Sequence, residues 1–103
     1  MKKVYLLVHE TYVYLDNDYD VSFKVFDDEQ SAINYLKILR DECLADICER
    51  ESTTIENLKQ EVEDGSYYIY TFEDEPEYFK IEIEEYGYNC IYVEEQDIMT
   101  FNI

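Results

Sequence analysis

The pattern of apolar and polar residues at the start of the chain predicts a β-hairpin. Residues 3–10 are rich in β-branched, aromatic and aliphatic side chains, which is typical of a strand, and residues 11–15 extend it. Residues 16–20 predict a polar turn, because Asp and Asn tolerate turn geometry and bond their own backbone. Apolar residues at every second position from Val21 to Val25 then predict the second strand.

Two helices are predicted next, from apolar spacings of three and four. The first covers residues 29–50 and begins after Asp27 or Asp28, either of which is a good N-cap. Its apolar face consists of Ala32, Leu36, Leu39, Cys43 and Ile47. The second runs to Val62 after a Thr cap, and Gly65 suits the position that follows a helix.

Strand patterns fill the remainder. They cover residues 67–72, 77–86 and 90–95, with turns at 73–76 and 86–89, and residues 97–103 are expected to pair at an edge. The order ββααβββ predicts one α+β domain over residues 1–103, in which an antiparallel sheet of about five strands carries two helices on one face.

Charge narrows the possible partners. The chain has 26 acidic and 8 basic residues, a net charge of -18, and residues 51–103 hold 15 of the acids with only 2 of the bases. Phosphates and anionic membranes repel such a chain, which excludes direct nucleic-acid binding and membrane binding. A basic protein attracts it, and the attraction speeds encounter at low salt.

Residues that could carry chemistry are few. His9 is the sole histidine, the two glycines form no phosphate-binding loop, and the three cysteines form no CxxC pair. Asp16, Asp18 and Asp20 copy the first ligands of a calcium loop, but Val21 stands where that loop requires glycine. We therefore predict no enzyme activity, no cofactor and no metal site. Free thiols and the absence of a signal peptide or membrane span indicate the cytoplasm of a bacterial host cell.

The acidic second half predicts a surface that binds a basic protein. Alternating Glu and Tyr residues place carboxylates and amphipathic rings together, and rows of carboxylates resemble a phosphate backbone to a protein that grips nucleic acid. The alternative interpretation is that these alternating Glu and Tyr residues are only the solvent-exposed face of an antiparallel sheet, with no partner. The predicted partner-binding residues are Glu73, Asp74, Glu75, Glu77, Glu82, Glu84, Glu94, Tyr68, Tyr70 and Tyr92.

The segments at residues 3–10, 24–32 and 35–36 resemble a family of small uncharacterised bacterial and phage proteins. The shared pattern is a strand ending in His-Glu, a second strand, and a helix entered through Ala32. This resemblance implies the fold and no activity. In size and acidity the chain is also similar to phage DNA mimics that inhibit host defence nucleases, the anti-CRISPR and anti-restriction proteins.

We therefore predict a phage-type inhibitor that occupies the basic groove of a host defence nuclease. One alternative is an immunity protein that neutralises a basic toxin. Another is a non-inhibitory adaptor domain, for which a homodimer through an edge strand is an option. A small hydrolase or calcium-binding module is the last alternative.

Overall fold

The computed structural model describes residues 2–65 and 68–98 of the chain. Two strands are followed by two helices and then by three more strands. The elements are β1 (Lys2–Val13), β2 (Asp18–Phe26), α1 (Glu29–Glu51), α2 (Ile55–Glu63), β3 (Ile69–Glu75), β4 (Tyr78–Ile83) and β5 (Gly87–Ile98). The α+β class and the antiparallel sheet are confirmed, and the order of elements agrees with the predicted one.

All five strands form one antiparallel sheet in the order β2-β1-β5-β4-β3. Its central ladder joins β1 to β5 over their full length, from Lys2 opposite Ile98 to Val13 opposite Gly87. The N-terminal hairpin is thereby attached to the β3–β4–β5 meander. Strands β2 and β3 are the two edges of the sheet.

Strands β3 and β5 extend into predicted turns, whereas β4 is shorter than its predicted range of 77–86. Residues 87–89 belong to β5 rather than to a turn, and residues 73–75 belong to β3. The turn between β4 and β5 lies at residues 84–86, where Glu85 has a φ of 72°. Asp97 and Ile98 lie in the central strand, not at an edge, and residues 99–103 of that prediction lie outside the described residues.

One sheet face, which we call the Leu7 face, builds the core. It carries Leu7 of β1, Ile91 of β5 and the alternating residues Phe79, Ile81 and Ile83 of β4, as their strand pattern predicts. The same buried cluster includes Leu36, Leu44 and Ile47 from α1 and Leu58 from α2. No polar or charged residue in the described part of the chain is buried. Apolar burial therefore holds helices and sheet together.

The opposite side, which we call the Tyr92 face, carries the alternate residues of the same strands. Val4, Val8 and Cys90 on this face are less than a tenth exposed, although they lie outside the core cluster. Large neighbours on the sheet cover them, because residues directly opposite on paired strands pack side by side. The remainder of this face is at least partly accessible.

Caps define where the helices begin. The Asp28 carboxylate accepts hydrogen bonds from the backbone N–H and the hydroxyl of Ser31, both at 2.8 Å, and these bonds lower the pKa of Asp28. Thr54 caps α2 by accepting from the N–H of Asn57 at 3.2 Å. Ser52 ends α1 in the left-handed conformation, with a φ of 51°.

Gly87 is required where β5 begins beside β1. Its φ is +134°, and a Cβ at this position would lie 1.7 Å from the carbonyl oxygen of Tyr12. The glycine thus lets the β4–β5 turn close tightly against β1.

We expect Gly87→Ala to lower the free energy of unfolding by more than about 3 kcal/mol, because the new methyl group overlaps backbone that cannot move without breaking the central ladder. Gly65→Ala is the matched control. Gly65 also has a positive φ, +84°, but no atom lies within 4 Å of a Cβ there. Its cost should stay near 1 kcal/mol, from left-handed backbone strain alone. Urea denaturation of both variants measures the difference, and equal losses would contradict the steric explanation.

Candidate protein-binding surface

The Tyr92 face changes character from one edge of the sheet to the other. Glu73 and Glu75 of β3 place carboxylates along one edge. The opposite edge is apolar, with Phe23 and Val25 of β2 59% and 64% exposed. Between these edges lie tyrosines of β1, β4 and β5. Protein-binding surfaces combine such features: exposed apolar anchors, amphipathic rings and a polar rim.

Tyrosine rings across the middle strands contact one another in pairs. The Tyr78 and Tyr92 rings stack with centroids 6.2 Å apart, and the Tyr12 and Tyr88 rings stack at 6.0 Å. The Tyr92 hydroxyl donates to Glu10 at 3.3 Å. These pairs follow from the register, because their members are directly opposite on neighbouring strands. The rings therefore form two amphipathic pairs on this face.

One end of the sheet, which we call the turn end, brings together the turn at residues 14–17 and the turn at residues 84–86. The backbone N–H of Tyr14 donates to the carbonyl of Tyr86 at 3.0 Å and joins the two turns. Leu15 protrudes from this end and is 90% exposed. An apolar residue so exposed is a candidate anchor for a partner.

Carboxylates at the turn end are hydrogen-bonded to hydroxyl groups. The Tyr14 hydroxyl donates to Glu82, and the Thr71 hydroxyl donates to the second oxygen of that carboxylate at 3.5 Å. The bond to Glu82, together with desolvation, raises the pKa of Tyr14 to about 12. Partial desolvation, followed by the charge of Glu84 and a hydrogen bond with it, raises the pKa of Tyr70. Both tyrosines therefore stay neutral at physiological pH.

Some of the predicted partner-binding residues lie together. Four carboxylates and one ring share the Tyr92 face: Glu73, Glu75, Glu82, Glu94 and Tyr92. Glu84 and Tyr70 belong to the turn end, where Tyr70 lies at an irregularity in the β3–β4 register. Glu94 is six residues farther along the sheet than Glu82, which corresponds to about 20 Å. The predicted acidic row is therefore interrupted by tyrosines.

The other predicted residues lie apart from this group. Asp74 has the opposite orientation to its neighbours in β3 and forms an ion pair with Arg40 of α1 at 3.2 Å. Tyr68 packs against the core, and its hydroxyl donates to Glu61 of α2. Glu77 lies in the β3–β4 turn, where its carbonyl accepts from the backbone of Val93 at 3.0 Å.

The ion pairs of Lys2 and Lys3 lie away from the turn end, whereas Arg50 lies over the ring of Tyr86 in the turn at residues 84–86. Lys2 pairs with Asp27 at 3.4 Å and Lys3 pairs with Glu95 at 2.9 Å, both at the far end of the central ladder. Within residues 2–65 and 68–98, no Lys or Arg lies within ion-pair distance of Glu82 or Glu84. The turn end therefore combines tyrosine rings with two carboxylates, those of Glu82 and Glu84, that form no ion pair among the described residues.

Sequence reasoning missed the contribution of the first hairpin to this surface. Tyr12, Tyr14 and Leu15 come from the end of β1 and the turn after it, and Tyr78 comes from β4. Tyr12 and Tyr14 are two residues apart in a predicted strand, and this spacing already indicates that both rings lie on one face of the sheet. Their proximity to Glu82 depends on the β1–β5 pairing, which the local pattern does not contain.

Reactive groups are sparse among the described residues. His9 Nε2 lies 3.2 Å from the side-chain oxygen of Asn89, and burial raises the pKa of the Cys43 thiol to about 12, so that thiol is protonated at neutral pH. The described part of the chain contains no group of three or more residues placed to hold a metal ion. None of its helices is both long and apolar enough to cross a membrane.

Comparisons of the chain with protein-family models, with curated proteins and with solved structures found no match. The function is therefore inferred from the geometry and charge of the Tyr92 face and the turn end.

We expect Glu82→Gln to lower the pKa of Tyr14 from about 12 toward its ordinary value of 10.0, because the charged acceptor is the largest cause of the increase. A pH titration of ¹³C-labelled tyrosine ring signals by NMR measures this change. The wild-type protein should also lose stability between pH 10.0 and about pH 12, since unfolded Tyr14 releases its proton before folded Tyr14 does.

Glu84→Gln is the control for this titration. Glu84 raises the pKa of Tyr70, whereas no effect of Glu84 on Tyr14 is resolved. This variant should lower the pKa of Tyr70 and leave that of Tyr14 unchanged. A Tyr14 titration that responds equally to both variants would show that general acidity, not the Glu82 contact, causes the shift.

Proposed function

We propose that this protein is an inhibitor that binds a basic nucleic-acid-binding protein, such as a host defence nuclease, and occupies its nucleic-acid groove. The turn end enters the groove first, with Tyr14, Leu15 and Tyr70 as anchors and with Glu82 and Glu84 facing Lys and Arg residues of the partner. One observation carries the proposal. Exposed side chains that can anchor a partner lie at the same end of the sheet as carboxylates that have no Lys or Arg of the described residues within ion-pair distance.

The density of charge supports mimicry of a nucleic acid. The molecule is 56 Å long and 28 by 20 Å across, and it carries a net charge of -18. The molecule carries about one net charge per 3 Å of its long axis, against one charge per 3.4 Å of a single nucleic-acid strand and one per about 1.7 Å of a duplex.

Access to the Tyr92 face also supports the proposal. We further propose that both helices cover the Leu7 face, because residues of α1 and α2 join the buried cluster there, and that the tyrosines and the exposed edge residues are left free for a partner. Apolar contact with Phe23 or Leu15 adds affinity that charge alone does not supply, since exposed ion pairs contribute little.

The proposal is tested by capture and competition. The protein is immobilised, exposed to a bacterial lysate at low salt, and washed with a 20-base-pair DNA duplex at constant ionic strength. We expect the duplex to release a basic protein, because mimic and nucleic acid compete for one groove. Mass spectrometry identifies that protein. If the duplex releases no basic protein, the proposed mimicry of a nucleic acid is contradicted.

The purified partner then tests the surface. We expect Glu82→Lys with Glu84→Lys to weaken binding about a hundredfold, because two attractive contacts become repulsive. The matched control is Glu56→Lys with Glu63→Lys on α2, which changes the net charge equally and should cost less than about threefold. Biolayer interferometry measures both. Equal losses of affinity in the two variants would show that overall charge drives the binding and that the turn end is not part of the interface.

A further inference from the structure

A cleft of about 660 Å³ separates the C-terminal half of α1 from the sheet. It opens beside the Leu7 face, on the other side of the sheet from Tyr92, and it meets the proposed inhibitor surface at the turn end, where Leu15 borders both. Its volume falls within the range of about 300–1,000 Å³ that is typical of small-molecule sites.

The floor of the cleft is apolar and contains one polar pair. Leu39 and Ile47 of α1 face Ile81 and Ile83 of β4 across it. His9 and Asn89 form the hydrogen bond already described. The amide nitrogen of Asn89 donates to no other residue within the described ranges, so it remains free to bind a ligand.

Negative charge dominates the rim. Glu42 and Asp46 of α1 are exposed on one side, and Asp16 and Glu85 lie at the turn end of the cleft. Among the described residues of the rim, the one Lys or Arg is Arg50, whose guanidinium lies over the Tyr86 ring with its carbon 4.5 Å from the centroid. Carboxylates therefore outnumber cations around an apolar floor, and this arrangement complements a ligand with an apolar body and a positive end.

We propose that this cleft binds a small organic cation in which a primary amine is joined to an apolar body. The apolar part packs between Leu39 and Ile83, and the ammonium group lies near Glu42 and Asp46. A carboxylate ligand of the same shape is repelled by the rim, and a neutral one keeps only the apolar contact.

Three probes of matched shape test this site: 3-phenylpropylamine, 3-phenylpropanol and 3-phenylpropionate. Each is titrated into ¹⁵N-labelled protein at 0.15 M ionic strength. We expect the amine to shift the amide signals of Thr11, Cys43, Ile83 and Asn89, which line the cleft. The alcohol should bind about fivefold more weakly, and the carboxylate should produce no shifts there.

Charge variants separate the cleft from general attraction to an acidic protein. Glu42→Gln with Asp46→Asn should weaken amine binding about fivefold and leave alcohol binding unchanged. Both residues are exposed, so the fold is expected to tolerate the changes. The matched control, Glu56→Gln with Glu63→Gln, removes the same charge from α2, outside the cleft, and should leave amine affinity unchanged. Amine shifts that map elsewhere, carboxylate binding as tight as amine binding, or equal weakening by both variants would overturn the proposal.

Discussion

The β1–β5 ladder is the constraint on which the rest of the structure depends. It joins residues that are more than 70 positions apart in the chain, and it places the N-terminal hairpin beside the C-terminal meander. Leu7 and Ile91 enter one core only because of this pairing. On the opposite side the same ladder places Tyr12 against Tyr88, and it brings Tyr14 to Glu82. The core and the candidate surface are therefore two consequences of one register.

The strongly acidic chain can fold because its charged side chains and its apolar core lie in different parts of the molecule. Every charged side chain in the described part of the chain stays in contact with solvent, and the core cluster is wholly apolar. The ion pairs of Lys2 and Lys3 are exposed surface contacts, which contribute little to stability. Repulsion between carboxylates must then be offset by apolar burial. The Glu82 carboxylate accepts hydrogen bonds from the hydroxyl groups of Tyr14 and Thr71 and forms no ion pair with a lysine among the described residues.

Local patterns were sufficient to predict much of the fold and part of the surface. Alternation assigned Phe79, Ile81 and Ile83 to the core, and polar caps located the helix starts, because both signals act over a few residues. The central position of β5 has no local signal, since strand order depends on pairing across the whole chain. Asp74 illustrates the resulting limit for the site: its orientation toward Arg40 follows from membership of β3, which the predicted turn concealed. The inhibitor function and the family resemblance remain predictions.

The position of β5 also has a consequence for biosynthesis. The strand that fills the middle of the sheet, β5, is translated after the other elements in the described part of the chain, so β1 has its hairpin partner long before its second neighbour exists. At about 5–20 residues per second, roughly 4–14 s separate the completion of β2 from the completion of β5. During that interval Leu7 and the apolar side of α1 have no β5 to cover them, in a nascent chain whose negative charge opposes association with its copies.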